Sequence, residues 1–415
     1  MYSGFVMTLK RRKKVSAASI MPDKDDCEFV ILVGSETGTT FDFATHLFNA
    51  LTNSGKRVFL TELNNYTTYA KAKQFILLTA TYGEGESPTN ARKFESLLKT
   101  VKQPNKINYS VIGFGSLEYP DYCQFAIDVD SLLQNKEEFQ AVLPLYKIDN
   151  ADFTDFKKWV KKWSEKTKVT LQIAPPKRKK KLKKIAFEVT QRTQLNIDDT
   201  FLLRLKPKRK VKFTSGDLLS VFPNGSEIAR QYSIAKMGDE ILLSIKKHEF
   251  GKGSSFLFEL KKGDLFKAAI EANPDFHFPN NVNSAILIAN GTGIAPFLGM
   301  MAENKNTSIK LFWGGRSKES STIYDSILEI ENLKNHDITI QKCFSREQNK
   351  QYVQDLVIQQ NDFILENFAS GGTVLICGSL AMQHGVLEVL EEILKGSDRT
   401  LDLLINNDQL KMDCY

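Results

Sequence analysis

Cysteine and histidine are scarce, with five of each in 415 residues. Cys27, Cys123, Cys343, Cys377 and Cys414 are widely spaced and form no CxxC, which excludes a disulfide framework or zinc knuckle and points to a reducing compartment. The five histidines are scattered, so neither a metal site nor a histidine-based triad is expected. Long apolar runs are also missing: stretches such as Ala285 to Ala289 are strand-sized, far short of the ~20 residues a spanning helix needs. Wholesale disorder and a collagen-like chain are excluded by 42% hydrophobic and 25% charged residues. The length is too great for one ordinary core and implies two or three domains.

The net charge of +7 is unevenly placed. Lys10 to Lys14 (KRRKK) and Lys177 to Lys184 (KRKKKLKK) hold twelve positive charges and no acid, which leaves the rest of the chain mildly acidic. Such runs bind an anionic surface or serve as solvated tether. They lack interleaved aromatics, which argues against a nucleic-acid-binding protein, the main alternative that the charge raises. Met1 to Leu9 is apolar and is followed at once by the first run. It reads either as the last turns of a spanning helix with its cytoplasmic flank or as a tail. The expected location is cytoplasmic, with membrane-surface contact through the basic runs as the added expectation.

Hydrophobic patterning gives an α/β plus β-barrel organisation. Residues 1–26 read as a basic tail. Over 27–170 strand-like runs alternate with helical ones: Phe29 to Val33 then Phe41 to Leu51, Phe75 to Thr79 then Asn90 to Leu98, Tyr109 to Gly113 then Phe125 to Leu133. That alternation predicts a doubly wound parallel sheet. Pro175, Pro176 and like charge mark a linker over 171–184. Short strands with turn residues over 185–282 predict a small antiparallel barrel. The βα alternation then returns over 283–415, with strands expected at Ala285 to Ala289, Ile309 to Trp313, Ile338 to Phe344 and Thr373 to Cys377.

Three turns of the first α/β segment follow strands and so meet at one carboxyl edge, where ligands bind in such sheets. The first, Gly34-Ser35-Glu36-Thr37-Gly38-Thr39-Thr40, has hydroxyls and backbone N–H groups at a helix start, suited to a terminal phosphate. The others, Thr79-Ala80-Thr81-Tyr82-Gly83-Glu84-Gly85 and Gly113-Phe114-Gly115-Ser116-Leu117-Glu118-Tyr119, present aromatics among glycines, suited to a planar ring. Glu36, Glu84, Glu86, Glu118 and Asp121 lie in or beside these turns without Lys or Arg, a rim that would steer a basic partner.

The motifs SETGTT, TATYGEGESPTNA and GFGSLEYPDYCQFA, in that order, resemble the flavodoxin-like FMN domain of the diflavin reductases. That resemblance implies FMN held at its phosphate by Ser35, Glu36, Thr37, Gly38 and Thr39, with Ala80, Thr81, Tyr82, Gly83, Gly115, Ser116, Tyr119 and Tyr122 around the ring. Ser116 stands where the family usually has Asn.

Arg230-Gln231-Tyr232-Ser233 and Gly251-Lys252-Gly253-Ser254 together supply an Arg for pyrophosphate, a Tyr to lie against a ring, a Ser for its edge and a helix N-terminus. They resemble the FAD site of the ferredoxin-NADP reductase family, which adds Ser244, Ile245 and Lys246 as flavin neighbours. Further on, Gly291-Thr292-Gly293-Ile294-Ala295-Pro296-Phe297 resembles that family's GTGIAPF turn at the nicotinamide dinucleotide. Arg316, Ser345, Arg346, Lys350, Tyr352 and Gln354 supply donors and positive charge rather than a carboxylate, which suits the 2′-phosphate of NADPH. By the resemblance Cys377 lies against the nicotinamide, the terminal Tyr415 stacks on FAD, and Ser233, Cys377, Asp413 and Tyr415 serve hydride transfer.

Together these implications describe a flavodoxin-like domain, an FAD-binding barrel and a second α/β NADP-binding domain. They carry electrons from NADPH through FAD and FMN to a one-electron acceptor, either a protein such as a haem protein or sulfite reductase haemoprotein, or an iron complex. A flavin-containing sensor is the other reading, disfavoured because a sensor has no need of 2′-phosphate recognition. The family's helical connecting domain, ordinarily inserted before the Arg-X-Tyr-Ser motif, is missing, since Pro223 reaches Arg230 across six residues.

Overall fold

The computed structural model describes residues 22–35, 38–81, 85–117, 120–173, 182–226, 229–249, 251–280, 282–304, 306–329 and 337–415. The run Lys10 to Lys14, most of Lys177 to Lys184, and Glu36, Thr37, Tyr82, Gly83, Glu84, Glu118 and Tyr119 lie outside the described residues. The chain forms two compact units, which divide in the basic segment after residue 173.

In the first unit, β1 (Phe29–Gly34), β2 (Val58–Glu62), β3 (Gln74–Ala80), β4 (Ile107–Gly115), β5 (Phe139–Ala141) and β6 (Tyr146–Asp149) form one parallel sheet. Its order is β2-β1-β3-β4-β5, with β6 also on β4. The fifth position is thus shared by two short strands, a division the sequence reading did not identify. α1 (Thr39–Asn53), α2 (Phe94–Thr100), α3 (Gln124–Gln134) and α4 (Phe153–Thr167) are its helices. β1 and β3 are buried almost end to end because helices cover both faces, which explains their continuous apolar runs. α4 was not anticipated. Asp152 caps it, accepting from the N–H groups of Thr154 and Asp155. It buries Phe156, Trp159, Val160 and Trp163 against one face of the sheet, each large side chain contributing about 1.5–3 kcal/mol.

The second unit opens with β7 (Ile185–Arg192), β8 (Thr200–Pro207), β9 (Leu218–Val221), β10 (Arg230–Ser233), β11 (Ala235–Met237), β12 (Glu240–Lys246), α5 (Lys252–Glu259) and β13 (Leu265–Glu271). The antiparallel order is β10-β9-β13-β7-β8-β12-β11. Its two edge strands, β10 and β11, are separated in sequence only by Ile234, which is fully buried. The sheet therefore curls into a nearly closed barrel around Phe187, Phe201, Leu203, Leu219 and Leu243.

β14 (Ser284–Asn290), α6 (Ala295–Glu303), β15 (Ser308–Gly315), α7 (Lys318–Leu328), β16 (Ile338–Phe344), α8 (Val353–Gln359), α9 (Asn361–Ala369), β17 (Thr373–Gly378), α10 (Leu380–Leu394), α11 (Leu401–Asn406) and β18 (Leu410–Cys414) complete that unit. The sheet is parallel in the order β16-β15-β14-β17-β18. The sequence reading gave the terminal residues site roles for Asp413 and Tyr415 but no strand, whereas they form an edge strand in register with β17. Among the described residues no helix is long and apolar enough to cross a membrane, and no group of His, Cys, Asp and Glu could hold a metal ion.

Candidate functional site

Strand register brings the three turns of the first unit level with one another. Gly34 pairs with Thr79 and Thr79 with Gly113, so all three turns leave the sheet at one height. The backbone N–H of Ser35 donates to Asn90 Oδ1 at 2.9 Å, and Ser35 Oγ accepts the N–H of Gly38, the N-cap of α1, at 3.1 Å. Thr39 opens that helix, so the turn aims a positive helix end at its own mouth. Asn90 also bonds the Glu62 carboxyl, whose pKa burial pushes up and this bond pulls down.

At the next turn, Ala80 ends β3, the Thr81 N–H donates to the Phe114 carbonyl at 3.3 Å, and Thr81 Oγ1 accepts the Phe125 N–H at 3.2 Å. At the third, the Gly115 carbonyl accepts the Asn150 N–H, and Ser116 precedes Leu117, whose N–H donates to Asp149. Leu117 is 68% exposed, an apolar side chain standing at the open edge. The half-buried Tyr122 has Lys147 Nζ 5.7 Å from its ring centroid. Ser35, Gly38, Thr39, Ala80, Thr81, Gly115, Ser116 and Tyr122 are thus gathered at one edge. The other FMN candidates, Glu36, Thr37, Tyr82, Gly83 and Tyr119, lie outside the described residues. Hydroxyls, backbone donors and a helix start suit a phosphate, and the donor set fits FMN.

In the second unit the two barrel motifs meet directly. A Cβ placed on Gly253 would stand 2.7 Å from Tyr232 Oη and 2.9 Å from Arg230 Cγ. Glycine is required because the first turn of α5 rests against that pair. Ser254 Oγ donates to the Gly251 carbonyl and accepts the His248 N–H, fixing the turn. Gln231 Nε2 donates to Glu271. The helix start beside Arg230 and Tyr232 has the chemistry for a flavin phosphate and ring. The three neighbours carried over from β12 divide: Ile245 packs in the barrel core, Ser244 is buried with its hydroxyl 2.8 Å from Tyr324 Oη, and Lys246 lies by Arg316, Asp198 and Arg346. Burial, and then the Arg316 charge, holds the Lys246 ammonium below its usual range.

Ser233, Cys377, Asp413 and Tyr415 converge. Ser233 Oγ donates to Asp413 Oδ2 at 2.6 Å, from the barrel to the last strand of the parallel sheet. The Cys377–Asp413 register pair sets Cys377 on the strand beside that carboxylate. Burial, with the Asp413 charge, pushes the Cys377 thiol well up, so it is an un-ionised group inside the fold. Burial likewise raises the Asp413 carboxyl, opposed by hydrogen bonds from Ser233 and Asn273. Tyr415 continues from β18 through its N–H to the Gly378 carbonyl at 2.9 Å, and its hydroxyl lies 3.0 Å from Thr292 Oγ1.

Thr292 belongs to the turn after β14. A Cβ on Gly293 would lie 2.2 Å from the Cys377 carbonyl oxygen, so only glycine lets this turn rest on β17. Gly291 is held by its carbonyl, which accepts Trp313 Nε1–H at 3.0 Å, and Pro296 is buried in the first turn of α6. The cationic candidates gather on the loops after β15 and β16. The Arg346 N–H donates to the Arg316 carbonyl at 2.8 Å, and the Ser345 N–H to the Gly315 carbonyl at 3.0 Å. Arg316 is 3.5 Å from Asp198. Lys350 Nζ is 5.2 Å from the ring centroid of Tyr352, and Gln354 packs against Gly385. This basic pocket fits a phosphorylated ribose better than a bare one.

Sequence reasoning missed Asn90, Asp198 and Asn273. Asn90 stood inside the recognised SPTNA stretch. Asp198 and Asn273 carry no sequence signal, because their partners are remote in the chain.

Comparison with known proteins agrees with both halves. The family model described as Flavodoxin matches residues 31–163, and the one described as Oxidoreductase NAD-binding domain matches residues 287–388. The chain is 32% identical over 170 residues to the sulfite reductase [NADPH] flavoprotein alpha-component of Baumannia cicadellinicola, covering 36% of this chain but only 28% of that protein. With the like-named protein of Neisseria meningitidis serogroup A, identity is 23% over a 556-residue alignment that covers 95% of this chain and 91% of the relative. That alignment is longer than this chain, so the relative carries residues with no counterpart here. The ferredoxin-NADP+ reductase of Plasmodium falciparum is similar in structure, at 23% identity and a TM-score of 0.47, over 56% of this chain and 96% of that one.

Proposed function

We propose that this chain, which belongs to the diflavin reductase family, is an NADPH-dependent flavoprotein oxidoreductase delivering electrons to a one-electron acceptor. When bound, NADPH, FAD and FMN would supply hydride donation, acceptance of the electron pair and one-electron release, chemistry that matches a two-electron donor to haem or iron. The acceptor we propose is a haemoprotein, in keeping with relatives named as sulfite reductase flavoproteins.

The observation that carries this reading is the Ser233–Asp413 hydrogen bond at 2.6 Å with Cys377 beside it. Three groups from two sheets are held together by contacts within the protein itself, the preorganisation that a hydride-transfer site requires. Ser233 offers its hydroxyl at the flavin edge. Asp413 holds that hydroxyl and, when ionised, places negative charge where positive charge develops on the nicotinamide. Cys377 contributes a neutral, polarisable contact. Arg230 and the α5 start bind pyrophosphate, and Arg316, Ser345, Arg346 and Lys350 take the 2′-phosphate. Tyr415 covers the face that the nicotinamide must reach. In the first unit, Ser35, Gly38 and Thr39 bind the FMN phosphate, with Tyr122 beside the ring.

The test is to purify the chain, identify its flavins by chromatography, and follow ferricyanide and cytochrome c reduction with NADPH and NADH. One FMN and one FAD per chain with strong preference for NADPH supports the reading. A colourless protein that acquires neither flavin on reconstitution overturns it.

A further inference from the structure

The turn between β7 and β8 carries the barrel to the loop that follows β15. It is braced from within. Asn196 Oδ1 accepts the N–H groups of Asp198 and Thr200, both at 2.9 Å, and the Asn196 N–H donates to the Thr200 carbonyl at 2.8 Å. Asp199 takes a φ of 56°, the left-handed conformation that a short polar side chain tolerates. The Asn196 side chain also reaches across, its Nδ2 donating to the Ser320 carbonyl in α7 at 3.2 Å. Two residues on, Asp198 Oδ1 stands 3.5 Å from a guanidinium nitrogen of Arg316.

On the other side the backbone at Arg316 is already fixed. Its carbonyl accepts the Arg346 N–H at 2.8 Å, and the next residue, Ser317, caps α7 through a reciprocal pair with Ser320. What the loop leaves loose is the Arg316 side chain, which is 41% exposed against 18% for that of Asp198. We propose that Asp198 is a specificity-determining residue for the phosphorylated cofactor, its carboxylate holding the Arg316 guanidinium in place for the 2′-phosphate. The inference rests on the proposed function and adds a barrel residue to a pocket otherwise built on loops of the parallel sheet. A guanidinium carries several N–H donors in a planar fork, so one nitrogen faces the carboxylate while the others stay available to phosphate. Immobilising a rotamer-rich side chain only on binding costs affinity, roughly three- to tenfold, and a side chain held beforehand avoids that loss. Asp198 also brings a charge that repels phosphate, so positioning and repulsion give opposite signs when the carboxylate is removed.

The probes are adenosine 2′,5′-bisphosphate and adenosine 5′-monophosphate, which differ only by the 2′-phosphate, each titrated calorimetrically into the full chain. Asp198→Ala should weaken the bisphosphate by roughly three- to tenfold and leave the monophosphate unchanged. Asp198→Asn, which keeps an oxygen at the same place, should lose less. In steady state Asp198→Ala should raise KM for NADPH by a similar factor, with kcat unaltered. Bisphosphate binding that is unchanged or tighter in both variants would overturn the proposal. Equal weakening of both probes would overturn it too, because it marks a general disturbance of the fold.

A double-variant cycle isolates the contact itself. Beside Arg316→Ala, Asp198→Ala should cost no further bisphosphate affinity, because the group it positions is gone. The same loss in both backgrounds would show that Asp198 acts through some other group and would sink the idea. If the wild type binds the two probes equally, the 2′-phosphate reading within the proposed function fails and takes this inference with it. A wild-type preference for the bisphosphate that survives Asp198→Ala intact leaves that reading standing and removes only the role of Asp198.

Discussion

The two candidate sites are built on opposite plans. At the edge of the first sheet the candidate groups sit on turns beyond β1, β3 and β4, and their hydrogen bonds run to nearby backbone and side chains such as Asn90 and Asp149. In the second unit the central groups sit on or at the ends of strands: Ser233 bonds Asp413 from one sheet to the other, while the Tyr415–Thr292 contact and the Cys377–Asp413 register pair lie within the parallel-sheet domain. Under the proposed function the difference follows from the work required. A site that holds a flavin and passes electrons needs affinity and an open edge, which turns with hydroxyls and N–H groups provide. A site that moves a hydride must fix atoms within a fraction of an ångström before reaction, and buried strands do that better than loops.

The sharpest way to break this comparison is Asp413→Ala. It removes both the acceptor for Ser233 and the negative charge beside the nicotinamide site, and should lower kcat with NADPH by about 10²-fold while leaving flavin content intact. Stopped-flow flavin reduction and chromatography of bound flavins measure the two effects separately. If the loss is under threefold, the prewired cluster is structural and the contrast disappears.

Next in size is Arg346→Ala. A charge-assisted hydrogen bond contributes about 1.5–3 kcal/mol, so kcat/KM for NADPH should fall roughly ten- to a hundredfold while that for NADH is unchanged. Equal losses with both cofactors would place Arg346 in the fold rather than at the phosphate.

In the first unit the effects should be smaller and confined to binding. Asn90→Ala frees the Ser35 N–H and removes the bond to Glu62. At about 1 kcal/mol for one hydrogen bond, FMN affinity should drop severalfold, with flavin reduction by NADPH untouched. Titration of the apoprotein with FMN, followed by fluorescence quenching, reads this directly. A fall in the NADPH-dependent step instead would show that the two sites are not separable in the way their construction implies.

Much of this contrast was legible in the residues. The three turns declare themselves because hydroxyls, glycines and aromatics are adjacent in sequence, and a parallel sheet must bring its carboxyl ends to one edge. The barrel's alternating strands were equally visible. Local patterns could not reveal the bond from the Asn273 N–H to Asp217, whose partners lie 56 residues apart and are brought together by the folding of the barrel. β18 escaped notice because KMDCY carries no apolar run. As an edge strand it needs only Leu410 and Lys411 well buried. α4 was missed for the opposite reason. Its aromatics are spaced for a helix, but lysines surround them and no glycine or proline announces its end.

The smallest expected effect concerns Tyr415, where the second site borrows something of the first site's looseness. The residue is 48% exposed, yet its N–H is bonded to Gly378 and its hydroxyl lies 3.0 Å from Thr292. That tether makes it more than a frayed end but less than a locked one. If the ring covers the flavin face, a nicotinamide must displace it, and the free energy for doing so has to come from cofactor binding. NADPH can draw on contacts at Ser345, Arg346 and Lys350, whereas NADH lacks the 2′-phosphate that reaches them. Stacking worth about 1 kcal/mol therefore holds back the weaker cofactor more. Tyr415→Ala should lower the NADPH:NADH ratio of kcat/KM severalfold by helping NADH, whereas Arg346→Ala lowers the same ratio by harming NADPH alone. Thr292→Val, which removes the hydroxyl partner but leaves the ring, should shift the ratio in the same direction by less. Steady-state ferricyanide reduction with each cofactor measures all three. An unchanged ratio in Tyr415→Ala would mean that the ring does not gate the flavin and that Thr292 simply anchors the chain end.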